Sequence, residues 1–148
     1  MKIAVASDHG GFELKQEIIA LLTELNVEFE DFGPFDASAV DYPDYGFKVA
    51  EAVANKQFDR GILICGTGIG ISIAANKVQG IRCALVHDVF SAQATREHND
   101  SNILAMGGRI VGPGLARMIV ETWLNTAFVG AHHAKRLEKI AEYEQNHA

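Results

Sequence analysis

The stretch GILICGTGIGISIAANK, residues 61–77, decides the fold of this chain. It opens on an apolar run that ends at Cys65, and such a run is typical of a strand buried on both faces. Glycines at positions 66, 68 and 70 then permit a tight turn. Apolar residues at helical spacing follow and predict a helix over residues 69–77. A buried strand, a glycine-rich turn and a helix form one unit of an α/β fold.

The same alternation extends in both directions along the chain. Strands are predicted at residues 2–6, 27–32, 61–65, 81–86 and 102–106, and helices at residues 12–25, 45–54, 69–77, 91–98 and 114–124. This order predicts a three-layer α/β/α sandwich with a five-stranded parallel sheet of the Rossmann or flavodoxin-like type. We expect right-handed crossovers and the strand order 2-1-3-4-5, in which strands 1 and 3 are neighbours at the topological switch point.

The domain organisation follows from the same pattern. No linker or low-complexity segment interrupts residues 1–148, so we expect one domain. A further, polar helix is predicted at residues 133–144, where the domain has little core left for a helix to bury. Residues 131–148 are therefore predicted to be an extension that packs on a partner subunit in a homodimer, or in a tetramer built from it.

Composition and charge exclude several classes of function. The net charge of −6, without a cluster of Lys and Arg, argues against binding to nucleic acid or to an anionic membrane. No apolar run approaches the roughly 18–20 residues of a membrane span, and the N-terminal run is too short for a signal peptide. The two cysteines, Cys65 and Cys83, lack the spacing of metal ligands or of a disulfide framework. We therefore expect a cytoplasmic protein.

Two predicted strands lead into residues whose side chains can take part in catalysis or ligand binding. Strand 1 leads into Asp8 and His9, and strand 3 leads into Cys65 and the glycine-rich turn. The carboxyl ends of strands 1 and 3 meet at the switch point, where ligands bind in folds of this type. Taken alone, Asp8 and His9 would be a helix cap and a turn residue as readily as functional residues.

The glycine-rich turn has the composition of an anion hole, because glycines let backbone N–H groups approach a ligand closely. A tight strand–helix turn would need the same glycines for geometry alone. A dinucleotide-binding fingerprint would follow the first strand, and a P-loop would end in Lys and Ser or Thr. A cysteine phosphatase loop would place Arg where Ile71 stands. The turn therefore favours neither nucleotide binding nor a nucleophilic cysteine.

Cys65 has two interpretations. A cysteine at the end of an apolar strand is more often part of the core. Here, however, it stands at the start of a helix, which favours the thiolate, and beside the candidate anion hole. A thiolate in that place suits proton abstraction next to a carbonyl, with the enediolate charge held by backbone N–H groups. Cys83, in the middle of a strand, is interpreted as core.

His98 closes the predicted fourth helix, at the amino-terminal edge of the sheet. Asp8 and Cys65 lie at the opposite, carboxyl ends of the strands. A histidine at the end of a helix would also interact favourably with the helix dipole. If His98 is catalytic, another subunit supplies it. The position of His98 and the unpartnered last helix together predict a homodimer with shared sites.

These motifs together resemble the type B ribose-5-phosphate isomerase family, which also includes galactose-6-phosphate and allose-6-phosphate isomerases. The resemblance covers essentially the whole chain. It rests on SDHGGFELK at 7–15, DYPDY at 41–45, ICGTGIGISIAANK at 64–77, REHND at 96–100 and GGRIVG at 107–112.

The resemblance implies an aldose–ketose isomerase of pentose phosphate metabolism that uses no metal and no cofactor. It implies ring opening and proton transfer between C2 and C1 through a cis-enediolate. Some relatives carry Glu at the position of Ile71, so Cys65 is left as the base in this chain. The other implied roles are Thr67 beside the thiol, Gly66, Gly68 and Gly70 in the anion hole, Asp8 on the sugar hydroxyls, His98 and Asn99 from the partner subunit on the ring and the enediolate, Tyr42 in the sugar pocket, and His9, Arg109 and Arg136 on the phosphate.

One position departs from the family pattern. Where relatives commonly carry a first phosphate-binding arginine near the last helix, this chain has His132, a weaker and pH-dependent phosphate ligand. The leading hypothesis is interconversion of D-ribose 5-phosphate and D-ribulose 5-phosphate. The alternatives are an isomerase of allose 6-phosphate or galactose 6-phosphate and a sugar-phosphate sensor that binds without turnover. The resemblance implies two different subunits for the galactose-specific branch.

Overall fold

The computed structural model describes residues 1–148 and contains every predicted strand and helix. The strands are β1 (Lys2–Ser7), β2 (Glu28–Asp31), β3 (Arg60–Cys65), β4 (Cys83–Leu85) and β5 (Ile103–Gly107). The helices are α1 (Phe12–Glu24), α2 (Tyr42–Ala54), α3 (Ile69–Ala75), α4 (Val89–Asn99), α5 (Pro113–Asn125) and α6 (His132–Asn146), and a short 3-10 turn (His9–Gly11) precedes α1. All strand pairs are parallel, which confirms the predicted α/β fold.

The strand order is β2-β1-β3-β5-β4, so the predicted order 2-1-3-4-5 is wrong at one edge. Burial explains the difference. Every residue of β5 is buried, whereas the short strand β4 is half-buried or exposed along its length. A fully buried strand belongs inside the sheet, and a short, partly exposed strand suits its edge. As a result β3 pairs with both β1 and β5, and Cys65 lies opposite Gly107.

The sheet separates two apolar cores. One core lies beneath α1, α4 and α5 and contains the fully buried Trp123, whose indole N–H donates to Ser101 Oγ at 2.9 Å. The other core lies beneath α2 and α3. Because side chains alternate along a strand, Ile64 faces the first core and Cys65 faces the second. The thiol therefore lies on the side of the sheet covered by α2 and α3.

Local chemistry sets the helix starts. Helix α2 begins at Tyr42 rather than at residue 45, because Pro43 suits the first turn of a helix, where its missing N–H has no intrahelical partner to lose. Helix α4 begins after Asp88, whose carboxylate accepts from Ser91 N at 2.6 Å. These starts extend both helices slightly beyond the predicted ranges.

Helix α6 has no buried residue. Its apolar residues Ile140 and Tyr143 are 56% and 67% exposed. The packing of this helix on a partner subunit stays a prediction. None of the helices combines the length and the apolar character needed to cross a bilayer.

Candidate active site

The carboxyl ends of β1, β3 and β5 are joined by backbone hydrogen bonds. Asp8 N donates to Ile64 O at 3.1 Å, and Gly108 N donates to Cys65 O at 2.8 Å. The contact between the first and last of these segments requires glycine, because a Cβ on Gly108 would lie 2.6 Å from the carbonyl oxygen of Gly10. The topology therefore brings together the segments around Asp8, Cys65 and Gly108.

The Cys65 side chain is almost fully buried, at 4% exposure. Its Sγ accepts a hydrogen bond from Gly68 N, with an N···S distance of 3.1 Å. An N–H donor in this position stabilises negative charge that develops on the sulfur. By contrast, burial raises the pKa of the Cys83 thiol to about 12, which keeps it protonated. The two thiols therefore differ in their surroundings: a backbone N–H donates to the sulfur of Cys65, whereas burial keeps Cys83 protonated.

The glycine-rich turn offers free donors beside the thiol. Gly68 N is used by Cys65, and Ile69 N donates to Thr67 Oγ1 at 3.3 Å. The N–H groups of Gly66, Thr67 and Gly70 donate to no acceptor within the protein. Three unpaired backbone donors within one turn are suited to an anionic ligand.

Tyr42 lies against the start of α3. A Cβ on Gly70 would come within 2.6 Å of the Tyr42 ring, so the ring packs directly on this glycine. The tyrosine is 40% exposed. It lines the rim of the turn, where the side chain of Thr67 is also exposed.

Asp8 and His9 hold the end of β1. Asp8 is 7% exposed, and its Oδ1 accepts from Gly11 N at 3.1 Å, so the carboxylate caps the short turn before α1. The exposed His9 accepts at Nδ1 from Val40 N at 3.2 Å. Both side chains therefore hold the local backbone through hydrogen bonds, and both lie at the switch point.

Arg109 follows β5 and reaches over the glycine-rich turn. Its Nη1 lies 3.2 Å from the position that a Cβ on Gly66 would take, and Arg109 N donates to Gly66 O at 3.0 Å. The Arg109 side chain is exposed and forms no ion pair within the chain. Its charge is free for an anionic ligand.

Three of the remaining predicted residues, His98, His132 and Arg136, form a second group with His133, which was not among the predicted site residues; we call these four residues the histidine cluster. The rings of His98 and His133 stack at 4.3 Å between centroids, and those of His132 and His133 lie 4.0 Å apart. Partial desolvation, then the neighbouring His132 and His98, hold the pKa of His133 below its ordinary value.

The histidine cluster lies away from Cys65 within one chain. Helix α4 ends at Asn99, and the chain then enters β5 at its amino end. Cys65 lies at the carboxyl end of β3, so the two groups lie at opposite ends of the strands. The Asn99 carbonyl accepts from Arg82 Nε at 3.0 Å at the amino ends of the strands. The structure therefore brings together Asp8, His9, Tyr42, Cys65, Gly66, Thr67, Gly68, Gly70 and Arg109, and it places His98, Asn99, His132 and Arg136 elsewhere.

Two residues near the site were missed from the sequence. Lys15 on α1 is fully buried and paired with Asp31 at 2.8 Å. His87 Nε2 accepts from Gly107 N at 3.1 Å, next to the turn that carries Cys65. His87 follows the carboxyl end of a predicted strand, which is the signal that identified Asp8. Lys15 stands on the apolar face of its helix between Leu14 and Ile18.

Comparisons with known proteins agree with this geometry. Residues 3–140 match the family described as Ribose/Galactose Isomerase. The chain is 52% identical over 144 residues to ribose-5-phosphate isomerase B of Escherichia coli strain K12, with 97% of each chain covered. The structure is similar to that of ribose-5-phosphate isomerase B of Clostridium thermocellum, with a TM-score of 0.98, 55% identity and 100% of both chains covered. It is also similar to the Mycoplasma genitalium enzyme of that name with bound ribulose-5-phosphate, with a TM-score of 0.94, 41% identity, and 97% of this chain and 96% of that chain covered.

Proposed function

The chain belongs to the ribose/galactose isomerase family, and from this premise we propose that it interconverts D-ribose 5-phosphate and D-ribulose 5-phosphate with Cys65 as the base. Relatives named ribose-5-phosphate isomerase B support the reaction, and one of them is solved with ribulose-5-phosphate bound. The observation that carries the role of Cys65 is the 3.1 Å hydrogen bond from Gly68 N to its sulfur. The relatives favour an isomerase over a sensor that binds without turnover.

The proton transfer follows from the turn that holds Cys65. In the open-chain aldose, the Cys65 thiolate removes the proton from C2, and the electrons move onto the C1 carbonyl oxygen. The free N–H groups of Gly66, Thr67 and Gly70 stabilise the resulting enediolate. The thiol then returns the proton to C1, while the hydroxyl proton on O2 passes to O1. Hydrogen moves within one molecule, so the reaction balances without a redox cofactor.

The groups around the turn bind the rest of the sugar phosphate. Asp8 orients sugar hydroxyls from the end of β1, and Tyr42 lines the pocket at Gly70. Thr67 contributes its exposed hydroxyl next to the thiol. Arg109, which has no carboxylate partner, and His9 bind the phosphate.

The partner subunit supplies the other half of each site. His98 protonates the ring oxygen during ring opening, Asn99 contacts the enediolate, and His132 and Arg136 bind the phosphate. Support comes from the separation of the histidine cluster from Cys65 in one chain and from the exposed surface of α6. The enzyme is then a homodimer, or a tetramer built from two such dimers, and residues 131–148 form its dimerisation extension. We place it in the cytoplasm, where the free thiols of Cys65 and Cys83 remain reduced.

A second substrate is favoured by one observation. The resemblance implies an arginine at the position of His132, and an imidazole binds phosphate more weakly than a guanidinium. A reshaped phosphate site would suit a longer sugar, such as allose 6-phosphate.

The test is kcat/KM of the purified chain on ribose 5-phosphate and allose 6-phosphate side by side. We expect a preference for ribose 5-phosphate. A preference for allose 6-phosphate would show that the substrate is a hexose phosphate rather than a pentose phosphate. His132 would then contribute to substrate specificity. Binding of both sugars without turnover of either would overturn the proposed reaction. Activity of this chain alone would exclude an enzyme that needs two different subunits.

A further inference from the structure

Lys15 is a buried cation close to the candidate site. Its side chain on α1 has 0% exposure, and a buried charge is costly unless it is paired. Nζ lies 2.8 Å from Asp31 Oδ1 and donates to the carbonyl oxygen of Pro34. It also lies 5.6 Å from the centre of the Phe35 ring. Apart from Phe12 on α1 itself, whose ring centre lies 5.4 Å from Nζ, the partners of Lys15 belong to the end of β2 or to the segment that follows it.

That segment, residues 33–40, is called the bracing loop here. Its first residue, Gly33, donates its N–H to Asp31 Oδ1 at 2.9 Å and accepts at its carbonyl from Ser7 N at 3.1 Å. Its last residue, Val40, donates its N–H to His9 Nδ1 at 3.2 Å. The loop is therefore held at its start by Lys15 and Asp31, and it holds His9 at its end.

The contact from Val40 decides which nitrogen of His9 carries the proton. A backbone N–H only donates, so Nδ1 must be the unprotonated, accepting nitrogen. The neutral imidazole then carries its proton on Nε2. An Nε2–H group can donate a hydrogen bond to a phosphate oxygen.

We propose that Lys15 is a positioning residue, which holds the bracing loop so that Val40 keeps His9 in the Nε2–H tautomer that donates to the substrate phosphate. The phosphate as ligand of His9 rests on the proposed function. The tautomer and its dependence on Lys15 do not, because both are properties of the chain without substrate. A purely structural Lys15 would support folding and leave the tautomer of His9 unchanged.

The test compares three variants by imidazole ¹⁵N NMR and by kinetics. Lys15→Met removes the charge and keeps the length of the side chain. Val40→Pro removes the N–H that donates to His9, at a half-exposed position that belongs to neither apolar core. Lys48→Met is the matched control, since Lys48 also lies over an aromatic ring, that of Tyr45 at 5.1 Å, but is exposed. The His9 signals are assigned by their loss in His9→Asn.

In the wild-type protein we expect a neutral His9 with an accepting Nδ1 and a protonated Nε2. In Lys15→Met and Val40→Pro we expect a mixture of tautomers, a KM for ribose 5-phosphate raised about tenfold, and a kcat within about twofold of wild type. Inorganic phosphate should weaken as an inhibitor by a similar factor. Lys48→Met should match the wild type in every readout.

A double variant separates positioning from general stability. If Lys15 acts through Val40, combining Lys15→Met with Val40→Pro raises KM no further than either change alone. Additive effects, or a wild-type tautomer in a folded Lys15→Met protein, would overturn the proposal. If Lys15→Met does not fold, an unchanged tautomer and KM in Val40→Pro would overturn it as well. If the tautomer shifts as expected while the wild type turns over no sugar phosphate, the positioning role stands and the proposed function fails.

Discussion

The backbone N–H of Gly68 points at the sulfur of Cys65, at an N···S distance of 3.1 Å. Gly68 reaches this position with a φ of +77°, and a Cβ on it would lie 2.6 Å from the carbonyl carbon of Met106. The backbone position that directs an N–H at the thiol can therefore be occupied only by glycine. The position of this N–H donor therefore depends on the conformation of the turn.

The Cys65→Ala variant should fold and bind sugar phosphate, and kcat should fall by about a hundredfold or more because the base is lost. The measurement is kcat in the aldose-to-ketose direction, with phosphate inhibition as the check on binding. Cys83→Ala is the matched control, since burial keeps the thiol of Cys83 protonated, and it should retain activity. Turnover by Cys65→Ala near the wild-type value would rule out Cys65 as the base.

The Gly68→Ala variant should lose both stability and activity. The positive φ and the contact with Met106 strain an alanine by about 1–3 kcal/mol, and a shift of the turn would remove the N–H from the sulfur. Gly80→Ala is the control, because Gly80 has a φ of +89° with nothing within 4 Å of its Cβ position.

Urea unfolding and kcat together separate the two effects of Gly68. Both variants should lose stability through the backbone, and only Gly68→Ala should also lose kcat. Equal kcat in the two variants would show that the bond to sulfur has no catalytic role.

The sequence predicted the fold class and the meeting of Asp8 with Cys65, because apolar strands and glycine-rich turns are local signals that fix the switch point. It did not predict the order of β4 and β5, since the apolar character of IRCALV resembles that of NILAM and only packing against the rest of the sheet distinguishes them. It also missed Lys15, because a lysine on a helix is usually solvated and its partner Asp31 comes from another element.

Mixed dimers of Cys65→Ala and His98→Asn should recover activity that neither variant has alone. If each site takes Cys65 from one subunit and His98 from the other, a mixed dimer contains one intact site. Random mixing in equal amounts should therefore restore about a quarter of the wild-type rate. The rate is measured after co-refolding, with differently tagged chains to verify mixed dimers. Verified mixed dimers without any recovery would place the whole site in one chain.

The histidine cluster should make stability fall in acid. Desolvation and the neighbouring His132 and His98 lower the pKa of His133 below its ordinary value of 6.5. The unfolded chain then binds more protons than the folded chain as pH falls through this value, so folding is weakened below about pH 6.5. Urea midpoints at pH 8 and pH 5.5 should differ less in His133→Asn than in the wild type. An identical pH dependence in both proteins would remove His133 as a source of the effect.

The His132→Arg variant should strengthen phosphate binding. An imidazole at position 132 offers a single N–H to the phosphate, whereas a guanidinium offers a permanent charge and a bidentate contact. We expect the KM for ribose 5-phosphate to fall about tenfold. Lys135→Arg, also exposed on α6, is the control, because it exchanges one cation for another outside the histidine cluster. A fall in KM for allose 6-phosphate alone would assign position 132 to hexose recognition, and no change for either sugar would remove His132 from the phosphate site.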